Sequence, residues 1–134
     1  MPRVRVLIAE DHEAVAQQLR RLLENECDIV GVVGDGQSLV DAAGSLTPEV
    51  IVSDISMPVF DGLTAARAIL SARPDARIVF VTVRDDPSVV RKAFLVGALG
   101  YVLKADAGEE LLMAIRAAHA GLPHISTNAR SSLI

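Results

Sequence analysis

The chain has 134 residues, a formal net charge of −4, 51% hydrophobic residues and only 3% aromatic residues. That is the size of one ordinary domain with a real core, and the apolar content excludes a disordered chain. The acidic balance argues against a general nucleic-acid surface, the few aromatics against base-stacking platforms, and a single cysteine against an internal disulfide or a cysteine-held zinc. From the N-terminus, "VRVLIA" (4–9) is a β-rich run. Behind it, "DHEAVAQQLRRLLENE" sets Val15, Leu19, Leu22 and Leu23 on one helical face. "DIVGVVG" follows as the second strand. Asp35-Gly36 then starts a helix through Leu39, Val40, Ala43 and Leu46, which Pro48 separates from the third strand, "EVIVSD". The next helix carries Leu63, Ala66, Ile69 and Leu70 and is blocked by Pro74 before "ARIVFVT".

A helix from about Pro87 to Leu95 leads into the fifth strand, "ALGYVLK". Asp106 with Glu109 makes a capping-box pattern for a last helix holding Leu111, Leu112, Ile115 and Ala118, stopped by Gly121 and Pro123. The polar stretch "HISTNARSSLI" has no helical face and reads as a linker stub or C-terminal tail (123–134) after a domain of 1–122. Strict strand–helix alternation predicts a doubly wound α/β domain with a parallel sheet covered on both faces. The unbroken apolar strand runs agree with that. The opening "MPRVRVLIAEDH" has too short an apolar core for a secretory signal, and "AFLVGALGYVL" falls short of the roughly 20 residues of a spanning helix. A soluble, cytoplasmic, reducing setting is the simplest expectation. Cys27 has no basic neighbour to activate it and reads as core filler.

The chemistry lies in what ends each strand. The first ends on Glu10-Asp11, the third on Asp54, the fourth on Thr82 and the fifth on Lys104. In an open parallel sheet these C-terminal tips share one edge, where ligands bind. Any one of them alone reads as a turn former. Together they make a site. Two carboxylates about 5 Å apart repel by roughly 3 kcal/mol at an effective dielectric of 20, so three demand cations. Lys104 supplies one, and an all-oxygen set points to Mg2+ as the other. An aspartate beside such an ion can attack phosphorus and become an acyl phosphate, whose oxygens a hydroxyl and an ammonium can hold. In "VSDISMPVFDG", Asp54 stands exposed to react, Pro58 stiffens the loop and Gly62 lets the chain turn into a helix.

The stretches "VLIAEDH", "DIVGVVGDG", "SDISMPVFDGL", "IVFVTV", "GALGYVLKADAGEELLMAI" and "AAHAGLPHIS" resemble, in order and spacing, the receiver domain of two-component response regulators. The resemblance covers residues 3–122 and is strongest to the NarL/FixJ group with LuxR-type output. It implies a flavodoxin-like (βα)5 sheet of order 2-1-3-4-5. It also implies a phosphoprotein of phosphorelay signalling rather than an enzyme: a phosphoacceptor regulatory domain that at most catalyses its own phosphorylation and dephosphorylation. Asp54 matches the phosphoacceptor. Asp11, Glu10, Asp54 and the backbone carbonyl of Ser56 match the Mg2+ ligands, Glu10 acting through water. Thr82 matches the switch hydroxyl, Lys104 the phosphate-pairing lysine and Tyr101 the aromatic that swings inward on activation.

The implied partners are a histidine kinase and an output, either a DNA-binding transcription-regulator domain or an effector protein, with homodimerisation on phosphorylation as a further expectation. Direct nucleic-acid or membrane contact by this domain is not expected. Two positions depart from the pattern: Glu10 stands where aspartate is common, and Ala105 follows Lys104 where many members carry a cis-proline. Ser56 and Arg84, each two residues beyond a site residue, are expected to tune the lifetime of the phosphorylated state. His12 reads as helix surface that could touch the site. The rival readings are a stand-alone regulator working by protein contact and a Mg2+-dependent phosphatase with an aspartyl nucleophile. The phosphatase needs a second acid two residues after its nucleophile, where this chain has Ser56.

Overall fold

The apolar runs of the sequence become the strands of a single parallel sheet. In the computed structural model, which describes residues 3–133, the order is β1 (Val4–Ala9), α1 (Glu13–Leu23), β2 (Cys27–Val33), α2 (Gly36–Leu46), β3 (Val50–Ser53), α3 (Gly62–Ala72), β4 (Ile78–Thr82), α4 (Pro87–Leu95), β5 (Gly100–Leu103), a 3-10 turn (Lys104–Asp106), α5 (Ala107–His119), β6 (His124–Ile125) and α6 (Thr127–Ser131). The sheet order is β2-β1-β3-β4-β5-β6, the expected doubly wound arrangement extended by a sixth strand. Among the described residues no helix is long and apolar enough to cross a membrane.

Alternate residues of each strand feed two cores. Leu7, Ile51, Phe80 and Tyr101 pack with Leu39, Ile69 and Val90 from α2, α3 and α4. Val6, Ile8, Val52, Val79 and Val102 pack with Leu19, Leu23, Leu111 and Ile115 from α1 and α5. Cys27 lies within this second core, and burial pushes its thiol pKa up. On α1 the buried face is Ala16, Leu19 and Leu23, while Leu22, expected on that face, is 41% exposed beside a groove with α5. Asp35 and Asp61 cap their helices as N-cap residues should, accepting from Ser38 N at 2.7 Å and Thr64 N at 2.8 Å.

The C-terminal part differs from expectation. Residues 124–131, read as a linker stub or free tail, form β6 and α6 and dock on β5, with His124 opposite Gly100 and Ile125 opposite Tyr101. Polar and apolar contacts both hold it: Ser126 is fully buried and its backbone N–H donates to Tyr101 O at 2.9 Å, while Ala129 is buried in the first core and Ile125 packs against it. The Asp106 capping box does not form either. Asp106 has helical backbone angles and makes no cap, because its carboxylate accepts from Asn128 instead. There are no cis peptide bonds among the described residues, so Lys104–Ala105 is trans.

Candidate functional site at the strand tips

Register brings the polar strand ends together. Ala9 pairs with Ser53, Ser53 with Phe80, and Thr82 with Leu103, so the residue after each tip opens on one edge. The Asp54 amide continues the ladder by donating to Ala9 O at 2.9 Å, which sets Asp54 beside Glu10. Lys104 Nζ lies 2.8 Å from Asp54 Oδ2 and 2.6 Å from Glu10 Oε1, one ammonium shared by two acids. The other Asp54 oxygen accepts from Ile55 N at 2.7 Å. Asp54, expected to stand exposed, is instead only 5% exposed, because Lys104 and Glu10 close over it, and Glu10 is 3% exposed, so these charges interact through protein more than through water. Burial works against the Lys104 ammonium, but the Asp54 and Glu10 carboxylates outweigh it and hold its pKa above the ordinary lysine value.

A divalent cation fits this corner. Glu10 Oε1 is buried, and the Lys104 ammonium at 2.6 Å is the one partner it has among the described residues. A hard cation favours such an anionic oxygen. Among the described residues the clustered donor atoms are those of Glu10, Asp11 and His12, all within 4.8 Å of one another. His12 was not foreseen in that role: its Nδ1 lies 3.2 Å from Glu10 Oε2 and 3.3 Å from Asp11 Oδ1, while its backbone N–H donates to Glu10 Oε2 at 2.9 Å. Asp54 joins the group through Lys104.

The loop after β3 runs close against two glycines at helix starts, Gly62 of α3 and Gly36 of α2. A Cβ on Gly62 would stand 2.1 Å from Asp54 O, and one on Gly36 2.2 Å from Phe60 O. Gly36 N also donates to Pro58 O at 3.2 Å, tying the loop to the start of α2. Between these ties Val59 is held at φ 72°, a left-handed conformation that a β-branched residue rarely adopts. Ser56 sits exposed on this loop two residues beyond Asp54.

On the β4 side Thr82 is fully buried, its Oγ1 accepting from Arg84 N at 3.2 Å. Tyr101 is fully buried as well and donates through its hydroxyl to Arg84 O at 2.6 Å. It is therefore an inward-facing residue of a strand covered by β6 on its outer side, not an edge tyrosine. Burial raises its pKa well above the usual phenol value. The Arg84 side chain is exposed and pairs with Asp86 at 3.4 Å. Every polar residue singled out at the four strand ends thus borders one edge, with Arg84 and Tyr101 flanking it.

The sequence model of the response regulator receiver domain matches residues 6–116. Among similar proteins, the transcriptional regulatory protein YxjL of Bacillus subtilis is 37% identical over 121 residues, which cover 89% of this chain and 56% of YxjL. The response regulator GacA of Pseudomonas aeruginosa is 34% identical over 125 residues, 92% of this chain and 58% of GacA. The chain therefore spans little more than half the length of these relatives. Among solved structures, a LuxR-family two-component response regulator from Aurantimonas superposes with a TM-score of 0.94 at 30% identity, covering 98% of this chain and 95% of that one.

Proposed function

The chain belongs to the receiver-domain family of two-component response regulators, and from that premise we propose that Asp54 is its phosphoacceptor and that Glu10, Asp11, Thr82 and Lys104 serve the transfer. The observation that carries this reading is the shared ammonium: Lys104 bridges Asp54 Oδ2 and Glu10 Oε1 at the tips of β1, β3 and β5. An Asp54 carboxylate oxygen attacks phosphorus of a phosphohistidine. The P–O bond of an acyl phosphate forms as the P–N bond breaks, and the imidazole leaves with the bonding pair and takes up a proton.

Glu10, Asp11, Asp54 and the Ser56 carbonyl are the proposed holders of Mg2+, which when bound supplies neutralising charge to the transferring oxygens. Lys104 then exchanges its Asp54 contact for a phosphoryl oxygen, and the Thr82 hydroxyl turns from Arg84 N towards another. Because Tyr101 is anchored on the carbonyl of the same residue, Arg84, that turn reaches the α4–β5 face. Ser56 and Arg84 flank the path of hydrolytic water and set how long the acyl phosphate survives. The phosphoryl donor is a histidine kinase of the cytoplasm. The output is a DNA-binding domain or effector protein, with receiver homodimerisation as one route to it. We read the domain itself as regulatory and as making no direct contact with nucleic acid.

Acetyl phosphate with Mg2+, followed by intact mass, tests the assignment. A single phosphoryl adduct is expected on the native chain, absent with EDTA and absent in Asp54→Asn. An adduct that survives Asp54→Asn overturns it.

A further inference from the structure

Two buried carboxylates outside the strand-tip site need an explanation. Asp106 is 8% exposed and Glu110 is 9% exposed, and no apolar reason places an acid there. Both are fully occupied by the C-terminal segment. Glu110 Oε2 accepts from Thr127 N at 2.9 Å and its Oε1 lies 3.0 Å from His124 Nε2, while Asp106 Oδ2 accepts from Asn128 N at 3.0 Å. On the other side of the turn, the buried Ser126 hydroxyl accepts from Leu103 N at 3.0 Å.

Lys104 sits between these two attachments. Leu103, immediately before it, is held by Ser126; Asp106, two residues after it, is held by Asn128. A lysine carries its ammonium on a flexible four-carbon stem, so the position of its backbone decides which oxygens it can reach. We propose that β6 and α6 form a positioning element for Lys104, so that occupancy of the strand-tip site and docking of residues 124–131 are thermodynamically coupled. This rests on the reading of Asp54 as phosphoacceptor and adds to it the segment that senses the phosphoryl group. Coupling is reciprocal: whatever Lys104 gains from a phosphoryl oxygen tightens the bracket, and loosening the bracket weakens the grip on that oxygen.

The test uses the intact chain, with Mg2+ alone and with Mg2+ plus beryllofluoride as the acyl-phosphate mimic, read by amide NMR. Beryllofluoride binding is expected to slow exchange at the amides of Leu103, Thr127 and Asn128. Ser126→Ala and Asn128→Ala are expected to bind the mimic about fivefold or more weakly while binding Mg2+ alone no more weakly than the native chain, because the Lys104 ammonium competes with the ion for the Glu10 and Asp54 oxygens. A merely structural role would lower both affinities together, and that result overturns the proposal. It is also overturned if the mimic shifts Asp54 in the native chain yet leaves those three amides and both variants unaffected; the Asp54 assignment then stands. If the native chain shows no beryllofluoride shift at Asp54, the assignment itself fails and the coupling with it. Should Ser126→Ala not fold, the surface variant Asn128→Ala and the exchange of the native chain decide alone.

Discussion

The Tyr101 hydroxyl donates to the Arg84 carbonyl over 2.6 Å. The amide of the same Arg84 donates to Thr82 Oγ1 at 3.2 Å. The Thr82 hydroxyl on β4 and the Tyr101 ring on β5 are thus tied to the two ends of one residue. Tyr101→Phe keeps the packing and removes one hydrogen bond, and is expected to cost about 1 kcal/mol in denaturant unfolding. The variant should also change the alkaline limb. Burial raises the folded-state pKa of Tyr101, so its contribution is complete below the ordinary value of about 10 and is lost as pH rises towards the folded value. The native chain should lose stability above about pH 10 more steeply than Tyr101→Phe, measured by unfolding across that range.

Gly62→Ala tests how Asp54 is presented. The added Cβ would meet the Asp54 carbonyl at 2.1 Å, backbone against methyl, with no flexible side chain to yield. Stability should fall by about 3 kcal/mol, and phosphorylation by acetyl phosphate should slow even at temperatures where the variant stays folded. An unchanged rate would mean that the β3–α3 loop does not set the position of Asp54.

Val59 offers the opposite sign. At φ 72° and 74% exposed, it makes little packing to compensate for a left-handed backbone. That conformation costs a β-branched residue roughly 1–2 kcal/mol, and glycine relieves it at an entropic cost of roughly 0.5–1 kcal/mol. Val59→Gly should therefore raise the unfolding midpoint slightly, whereas Val59→Ile should not.

The C-terminal segment should come off in acid. Burial opposes ionisation of Asp106 and Glu110, but the hydrogen bonds from Ser126 and Asn128 to the first, and from Thr127 and His124 to the second, outweigh it and hold both pKa values below the ordinary carboxylate range. Groups depressed in this way stabilise the docked state above about pH 4 and lose that contribution as pH falls through the folded values. Hydrogen exchange between about pH 5 and pH 2 should show Thr127 and Asn128 losing protection before β1, β3 and β4. Asp106→Asn with Glu110→Gln should remove the pH dependence.

The meeting of the strand tips was legible because its signal is simple: an apolar run followed by a charged or hydroxyl residue, repeated at Glu10-Asp11, Asp54, Thr82 and Lys104. Parallel topology does the rest. The segment 124–131 was not legible because polar groups hold much of it, Ser126, Thr127 and Asn128 against Leu103, Glu110 and Asp106, and its apolar anchors are only Ile125 and Ala129. Such a stretch has no apolar period to read, and α6 at five residues is too short to display one. The same contacts explain why Asp106 looked like a helix cap. Sequence spacing showed an acid three residues before Glu109, but the carboxylate is claimed by residues 20 or more positions later.

A crystal structure grown with Mg2+ and beryllofluoride tests the central claim most directly. The expected result is beryllofluoride on an Asp54 carboxylate oxygen, Lys104 Nζ and Thr82 Oγ1 in contact with its fluorines, and the metal ion ligated by Asp11, Asp54 and the Ser56 carbonyl with Glu10 behind a water. An unmodified Asp54 still paired with Lys104, or an ion bound away from Glu10 and Asp11, would contradict it.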